Sequence, residues 1–319
     1  MTETAEATLV LTVLNESSSI VGFLESLEKQ SLLPREIVIV DGGSTDGTPE
    51  LLRSWVAPAG CEVCVIVEPG ANISEGRNIA IAAARFEKVL VTDAGTSIDP
   101  RWAERMLEAF TDDVDVVGGF FRPTGATFTE RRIAFTITPH LSEIDGATFL
   151  PSSRSIAFRR SAWSEVGGYP EWLDYCEDLV FDLRMKHSGL TFAFAPHAIV
   201  TWSARPTYRQ FIKQYFRYAR GDGKAALWAK RHAARYTAYA LGIALVVGSF
   251  AQPLLIVALV AGAVVYLQKF WRRLWNHRRD FGSSFALGMI FVPFVVVCGD
   301  LGKMAGYPVG LAWRRTHKP

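Results

Sequence analysis

Acidic and amide side chains stand where the apolar runs of this 319-residue chain end. The run Leu9–Leu14 closes on Asn15-Glu16. Ile37–Val40 closes on Asp41, with Asp46 five residues on, and Lys88–Thr92 closes on Asp93. Short apolar runs rich in β-branched residues read as buried strands. In open parallel α/β sheets a ligand sits at the carboxyl ends of such strands. Carboxylates there are hard oxygen donors of the kind Mg²⁺ or Mn²⁺ takes. Arg77 and Asn78 fall in the first turns of a helix, close to where a diphosphate would sit. A second acidic pair, Glu177-Asp178, opens a later helix.

The elements between these residues must place them. Ile20, Phe23, Leu24 and Leu27 follow the i, i+3, i+4, i+7 spacing of a helix laid on a sheet. Gly42-Gly43 permits a tight turn, and Thr48-Pro49 has the form of an N-cap followed by proline at the first helical position. The result is a β-α-β-α unit. Cys64–Val67 predicts a third strand. Asn72-Ile-Ser-Glu75 is a capping box for a helix reaching about Ala84. Asp99-Pro100 predicts another cap, Val114–Phe121 a strand broken at Gly118-Gly119, and 122–150 a loop with a short helix. Phe149–Arg159 leads into a strand, with Arg154 able to meet phosphate or sugar or to be a surface residue. Glu177-Asp178 suits a helix N-terminus, and Gly189 closes that helix. Phe192–Ala195 predicts a last strand. The four cysteines form no disulfide framework; Cys61-x-x-Cys64 lies on a strand, where i and i+3 face opposite ways, and reads as structural. Met1–Ala7 is acidic and polar and does not read as a signal peptide.

Taken together, Asn15-Glu16 and Val40-Asp41-Gly-Gly-Ser-Thr-Asp46-Gly-Thr48 resemble the opening of family 2 glycosyltransferases. Gly167-Gly168-Tyr169 followed by Glu177-Asp178 resembles that family's later motif, and the likeness covers about two thirds of the chain. The resemblance implies an α/β fold of the GT-A type, a Rossmann-like and mostly parallel sheet flanked by helices. It implies an inverting transfer from a UDP- or GDP-sugar, with Asn15, Glu16, Asp41 and Asp46 seating the nucleotide. Arg77 and Asp93 would meet the diphosphate, and Asp178, with Glu177 beside it, would be the catalytic base; helix capping alone is the plainer reading of that pair. Family members hold a divalent cation on a D-x-D. Here the stretch is Asp93-Ala94-Gly95, and Thr201-Trp202 stands where many relatives have a metal-binding His, so a weakly held Mg²⁺ or Mn²⁺ at Asp93 is expected. Gln214-Tyr-Phe-Arg217-Tyr218 resembles the Q-x-x-R-W of membrane polysaccharide synthases, implying that Gln214 and Tyr218 line an acceptor site and Arg217 meets diphosphate. It also reads as a basic helix on a membrane surface. The likeness is nearest to bacterial exopolysaccharide enzymes of the succinoglycan type. A processive synthase and an idle sugar-nucleotide-binding subunit are the alternatives.

Charge divides the chain. The net charge is only +2, yet residues 1–204 hold 16 Lys/Arg against 29 Asp/Glu, and 205–319 hold 18 against 3. A basic and apolar C-terminal part points to membrane lipid and away from nucleic acid. The expected domains are therefore 1–204 for catalysis, 205–235 for basic amphipathic helices, and 236–319 for membrane-embedded hairpins with a basic interface helix at 268–280. A lipid-linked or glycan acceptor would meet the enzyme at the cytoplasmic membrane. Residues 237–267 are apolar but for a break at Gln252-Pro253. Nine Lys/Arg against one acid flank them in 205–235, and five against one in 268–280. Cytoplasmic flanks carry the excess of Lys/Arg, so a hairpin returning to the cytoplasm is expected. Phe285–Gly299 would be a second short element, followed by a Gly306-Tyr307-Pro308 turn and a cytoplasmic tail. Cysteines introduced at Ser283 and Thr316 should therefore resist an impermeant thiol reagent applied to intact cells. Reaction at either from outside contradicts this topology.

Overall fold

The computed structural model describes residues 3–317. In chain order the first elements are β1 (Glu3–Val13), α1 (Ile20–Glu28), β2 (Leu32–Asp41), α2 (Thr48–Ser54) and β3 (Glu62–Val67). Then come α3 (Ile73–Ala83), β4 (Lys88–Asp93), β5 (Thr96–Ile98), α4 (Trp102–Glu108) and β6 (Val116–Thr124). After α5 (Phe128–Ile137) follow β7 (Ile156–Arg159), α6 (Arg160–Glu165), α7 (Glu177–His187) and β8 (Phe192–Ser203). The remainder is helical: α8 (Tyr208–Lys224), α9 (Ala229–Ser249), α10 (Leu255–Asn276), α11 (Arg278–Phe281) and α12 (Phe285–Thr316). Two compact units result. One comprises residues 1–122 and 143–202, the other residues 123–142 and 203–319.

The first unit is built on an eight-stranded sheet of order β3-β2-β1-β4-β7-β6-β8-β5. β3, β2, β1 and β4 are mutually parallel. β7 joins β4 antiparallel, and β6 joins β7 and β5 joins β8 in the same sense. The central parallel strands are buried on both faces, which is why they read as unbroken apolar runs. Leu9, Leu11, Ile37, Ile39 and Leu90 face one core with the α1 stripe and Trp102; Val10, Val38, Val40 and Val91 face the other with Ala80, Ile81 and Phe181. Register then fixes the site. Val13 lies opposite Asp41, and Thr12 lies opposite Asp93. Asp41 and Asp93 thus share one end of the sheet, about 10 Å apart across two strand spacings.

Several boundaries differ from the sequence reading. Leu14 falls outside β1 and is exposed. Gly47, at φ +73°, takes the N-cap of α2, and Thr48 stands inside the helix. Arg101 rather than Asp99 precedes α4; Asp99 instead accepts hydrogen bonds from the Arg101 amide and the Arg105 guanidinium. β6 runs unbroken through Gly118-Gly119, and the glycine is a packing requirement there, since a Cβ at Gly119 would lie 2.1 Å from Ser155 Oγ. The capping box at Asn72 and Glu75 is present in full.

The second unit is helical. Its α5 comes from the middle of the chain, and Arg132 of α5 lies over the rings of Phe128 and Phe291, 4.3 Å from each centroid. Helix α9 stops at Ser249 and α10 starts at Leu255, with Gln252-Pro253 in the break. By length and composition two helical segments, Leu255–Asn276 and Arg278–Thr316, could cross a membrane. α12 is one 32-residue helix, so the short element ending at Gly299 and the turn at Gly306-Tyr307-Pro308 do not occur. Those glycines serve packing instead. Gly302, Gly306 and Gly310 recur every four residues on one face, against the backbone of Ile212, Phe216 and Arg220 in α8. Such spacing of small residues lets two helix backbones touch. In the same contact α8 packs Phe211 on Gly299 and Gly223 on Tyr307 and Gly310 of α12.

A Cβ at Gly306 would stand 2.0 Å from the Phe216 carbonyl oxygen. Gly306→Ala should therefore destabilise the helical unit by about 1–3 kcal/mol, the usual cost of overpacking. Thermal unfolding of the detergent-purified protein measures this, and an unchanged midpoint would show that the crossing is not close.

Candidate active site

Arg77 sits at the centre. It lies in the second turn of α3, and its side chain is 2% exposed. One terminal nitrogen donates to Glu177 Oε1 at 2.8 Å and the other to Asp93 Oδ1 at 2.9 Å. Its guanidinium also lies over the Tyr169 ring, 5.2 Å from the centroid. A buried cation is tolerated only when paired and hydrogen-bonded, and here two carboxylates pair it. The guanidinium therefore joins the end of β4 to the start of α7. This departs from the expected contact with a diphosphate, because both terminal nitrogens already hold carboxylates.

Glu177 and Asp178 occupy the first turn of α7, where the helix dipole favours negative charge. Burial pushes the Glu177 carboxyl above the usual carboxylate range, the Asp178 charge adds to that, and Arg77 pulls it back. Asp178 is half-buried; Ser152 Oγ lies 3.4 Å from its Oδ2 and its Oδ1 accepts from the Leu179 amide at 2.8 Å. One turn on, Asp182 is buried among the described residues with neither oxygen hydrogen-bonded, and burial followed by the Asp178 charge raises its carboxyl well above the usual range.

The Gly-Gly-Tyr stretch makes the floor. Gly168, at φ +72°, leaves room for Asn78, whose Oδ1 would otherwise lie 2.7 Å from a Cβ. That Oδ1 accepts from the Tyr169 amide and Trp163 Nε1, and Nδ2 donates to the Tyr169 carbonyl and Glu171. Asn78 is thereby a strut between α3 and this loop, and it sets Tyr169 under Arg77. Tyr169 stacks in turn on Phe181 at 4.1 Å.

Asn15, Glu16, Asp41 and Asp46 come together as two cross-braced loops. Asp41 Oδ1 accepts from the Gly43 and Ser44 amides. Asn15 Oδ1 accepts from the Thr45 amide, and the Glu16 amide donates to Thr48 Oγ1. Asp46 binds the Thr48 hydroxyl and the Ser17 amide, and these hydrogen bonds hold its carboxyl well below the usual range. These loops form the rim at the carboxyl ends of β1 and β2. Gln214, Arg217 and Tyr218 belong to the helical unit, where Gln214 Nε2 donates to the Tyr218 hydroxyl at 2.7 Å.

The segment before β7 carries residues that spacing alone left undecided. Arg154 Nε lies 3.6 Å from Asp93 Oδ2, its guanidinium is 5.5 Å from the Trp202 ring, and its Nη1 is 3.5 Å from Ser152 Oγ. Ser152 therefore stands between Arg154 and Asp178. Both oxygens of Asp93 face guanidinia, Gly95 supplies no carboxylate, and among the described residues no three His, Cys, Asp or Glu side chains converge on a point. This donor set does not fit a resident divalent cation.

Residues 8–166 match the model of glycosyl transferase family 2, and residues 88–298 match that of glycosyl transferase family group 2. The chain is 27% identical over 253 residues to the glycosyltransferase AglE of Haloferax volcanii, covering 77% of this chain and 81% of that protein. It is 28% identical over 228 residues to the succinoglycan biosynthesis protein ExoA of Rhizobium meliloti, 68% of each. Among solved structures it resembles a mannosyltransferase of Pyrobaculum calidifontis captured with GDP-Man and Mn²⁺. The TM-score is 0.57 at 18% identity, over 98% of this chain and 87% of that one, a likeness of fold.

Arg77→Met should leave two carboxylates, one of them buried, without their cation. Unpairing a buried ion pair costs about 3–5 kcal/mol, so unfolding in denaturant should show a loss of that order. Arg77→Lys, a point charge without the fork, should recover part of it. A loss below about 1 kcal/mol for Arg77→Met would contradict the central place given to this residue.

Proposed function

The chain belongs to glycosyl transferase family group 2, and from that membership we propose that it moves a sugar from a UDP- or GDP-sugar to a lipid-linked acceptor hydroxyl, inverting the anomeric carbon. That it is a glycosyltransferase of the GT-A fold follows from the family matches and the fold. The observation that carries the finer reading is the position of Asp178. Its half-buried carboxylate stands in the first turn of α7, beside Glu177 held by Arg77, at the same region as Asp93. A positioned carboxylate of this kind serves as a general base. Asp178 takes the proton of the acceptor hydroxyl. The acceptor oxygen bonds to the anomeric carbon as the bond to the diphosphate oxygen breaks, with its electron pair leaving on the nucleoside diphosphate. The loops of Asn15, Glu16, Asp41 and Asp46 seat the nucleotide.

The lipid-linked acceptor draws support from the helical unit. A groove of about 690 Å³ runs between α9, α10 and α12, lined by residues such as Leu241, Leu245, Leu259 and Val296. Tyr239 and Tyr266 line it too, and their hydroxyls donate to Asp300, which also pairs with Arg235 at 2.8 Å. An apolar trough beside a polar cluster suits a hydrocarbon chain with a polar head. The basic flanks of the apolar helices favour the cytoplasmic membrane face.

Asp178→Asn keeps the shape of the side chain and removes its basicity. Donor binding should survive, while transfer falls by roughly 10²–10⁴-fold, the usual worth of a positioned base. Thermal stabilisation by a panel of UDP- and GDP-sugars measures the binding, and release of nucleoside diphosphate from the same panel, with membrane lipid present, measures the transfer. Transfer near the wild-type rate would remove Asp178 from this role.

A further inference from the structure

We propose that the helical unit holds a phospholipid by its phosphate, with Arg132 of α5 as the anion-binding group and Tyr208 of α8 beside it. This goes beyond the sugar-transfer reaction and rests only on the membrane reading of that unit. The observation that carries it is a buried cation without a counter-ion. Arg132 is 8% exposed. Among the described residues no carboxylate pairs with it, and its guanidinium makes one hydrogen bond, from Nη2 to Thr129 Oγ1 at 3.2 Å. Its Nε is buried with no acceptor. The rings of Phe128 and Phe291, each centred 4.3 Å away, and of Tyr208 at 5.6 Å attract the charge, but they offer its N–H groups no oxygen. A buried charge is tolerated when it is paired and hydrogen-bonded. Arg77 meets that condition with two carboxylates, and Arg132 meets it with none. Two hydroxyls share the deficit. The Tyr208 hydroxyl is buried without a partner, and so is Thr136 Oγ1, one turn beyond Arg132 on the same face of α5.

The missing partner is an anion that accepts from a guanidinium and from hydroxyls at once. Paired phosphate oxygens match the guanidinium fork, and the charge of a phosphodiester is equal and opposite to that of Arg132. The way out of the site says what carries the phosphate. Tyr208 packs edge-on against Phe294 with ring centres 4.8 Å apart, and Phe294 is exposed. Ile290, 72% exposed, and Leu287 precede it on α12. Positions 287, 290 and 294 fall on one helix face, so an apolar strip leads away from the Tyr208 and Arg132 side chains, as an acyl chain leads away from its headgroup. This is not the groove described above for the acceptor. Phe291 stands two residues before the groove-lining Pro293 and, at about 100° per residue, on the opposite side of α12. The lipid held by Arg132 is therefore a second one, a bound phospholipid whose headgroup neutralises the arginine and ties α5 to α8 and α12.

The test uses the full chain in a phosphorus-free detergent, washed until phosphorus analysis finds no bound lipid. Phosphatidylglycerol should then raise the thermal unfolding midpoint of the wild type. Diacylglycerol with the same chains and no phosphate should not, nor should inorganic phosphate at the same concentration. Arg132→Met keeps the length and apolar packing of the side chain. Without lipid it should unfold at or above the wild-type midpoint, because it removes an unpaired buried charge. With lipid it should bind phosphatidylglycerol about 10–100-fold more weakly, the worth of hydrogen bonds to a charged group. Tyr208→Phe should weaken binding less. Native mass spectrometry should find a phospholipid retained by the wild type and lost by Arg132→Met. A merely structural arginine gives the opposite pattern, a lower midpoint without lipid and an unchanged lipid affinity. That pattern would overturn the proposal, as would equal protection by diacylglycerol or by inorganic phosphate, and each leaves the glycosyl transfer reading standing. Displacement of the phospholipid by an equimolar polyprenyl phosphate would assign the site to the acceptor and overturn the second lipid. A chain that stays monodisperse in buffer without detergent would overturn the membrane reading itself.

Discussion

Placing a permanent cation under the carboxyl end of a sheet forces the surroundings of Arg77 to be built around it. An arginine with a 2% exposed side chain has lost nearly all its hydration, and only carboxylates at hydrogen-bonding distance offset that. One comes from β4 and the other from α7, elements 84 residues apart in the chain, counting from Asp93 to Glu177. The pair of ion pairs therefore fixes where α7 begins relative to the sheet. The direction of α7 then sets Asp178 next to Glu177. Tyr169 covers the guanidinium from the other side, and the Gly167-Gly168 turn and Asn78 exist to hold Tyr169 there. Asp178, the base proposed above, is thus positioned by way of Arg77, Tyr169 and Asn78.

The same electrostatics explains why this site departs from a metal-holding pattern. Asp93 would be the natural ligand for a cation, but it is the counter-ion of Arg77. Its remaining oxygen faces Arg154. An alternating row of charges, Arg154, Asp93, Arg77 and Glu177, takes the place that carboxylates around a cation would occupy.

Much of this was legible in the sequence. Asn15-Glu16, Asp41 and Asp93 were placed at strand ends because the strands are buried on both faces and so are continuous in apolar residues. The Asn72–Glu75 box was readable because a cap is a local interaction. The rest depends on partners distant in the chain. Nothing near Arg77 shows that it would be swallowed between Asp93 and Glu177. Arg154 reads as either a phosphate- or sugar-contacting residue or a surface one until Asp93 and Trp202 are brought beside it. Helix α5 leaves the catalytic unit for the helical one because Arg132 is wanted by Phe291, 159 residues on. The Gly306-Tyr307-Pro308 stretch reads as a turn because glycine and proline are weak in a helix. Contact with the backbone of α8 reverses that meaning.

The central claim is a single displacement in which Asp178 deprotonates the acceptor. The most direct measurement is the anomeric configuration of the first product formed, read by proton NMR during turnover, before any spontaneous equilibration. With an α-linked sugar nucleotide as donor, a β-linked product is expected. An α-linked product would require two displacements or a front-face reaction and would contradict the role given to Asp178 and the geometry built around Arg77.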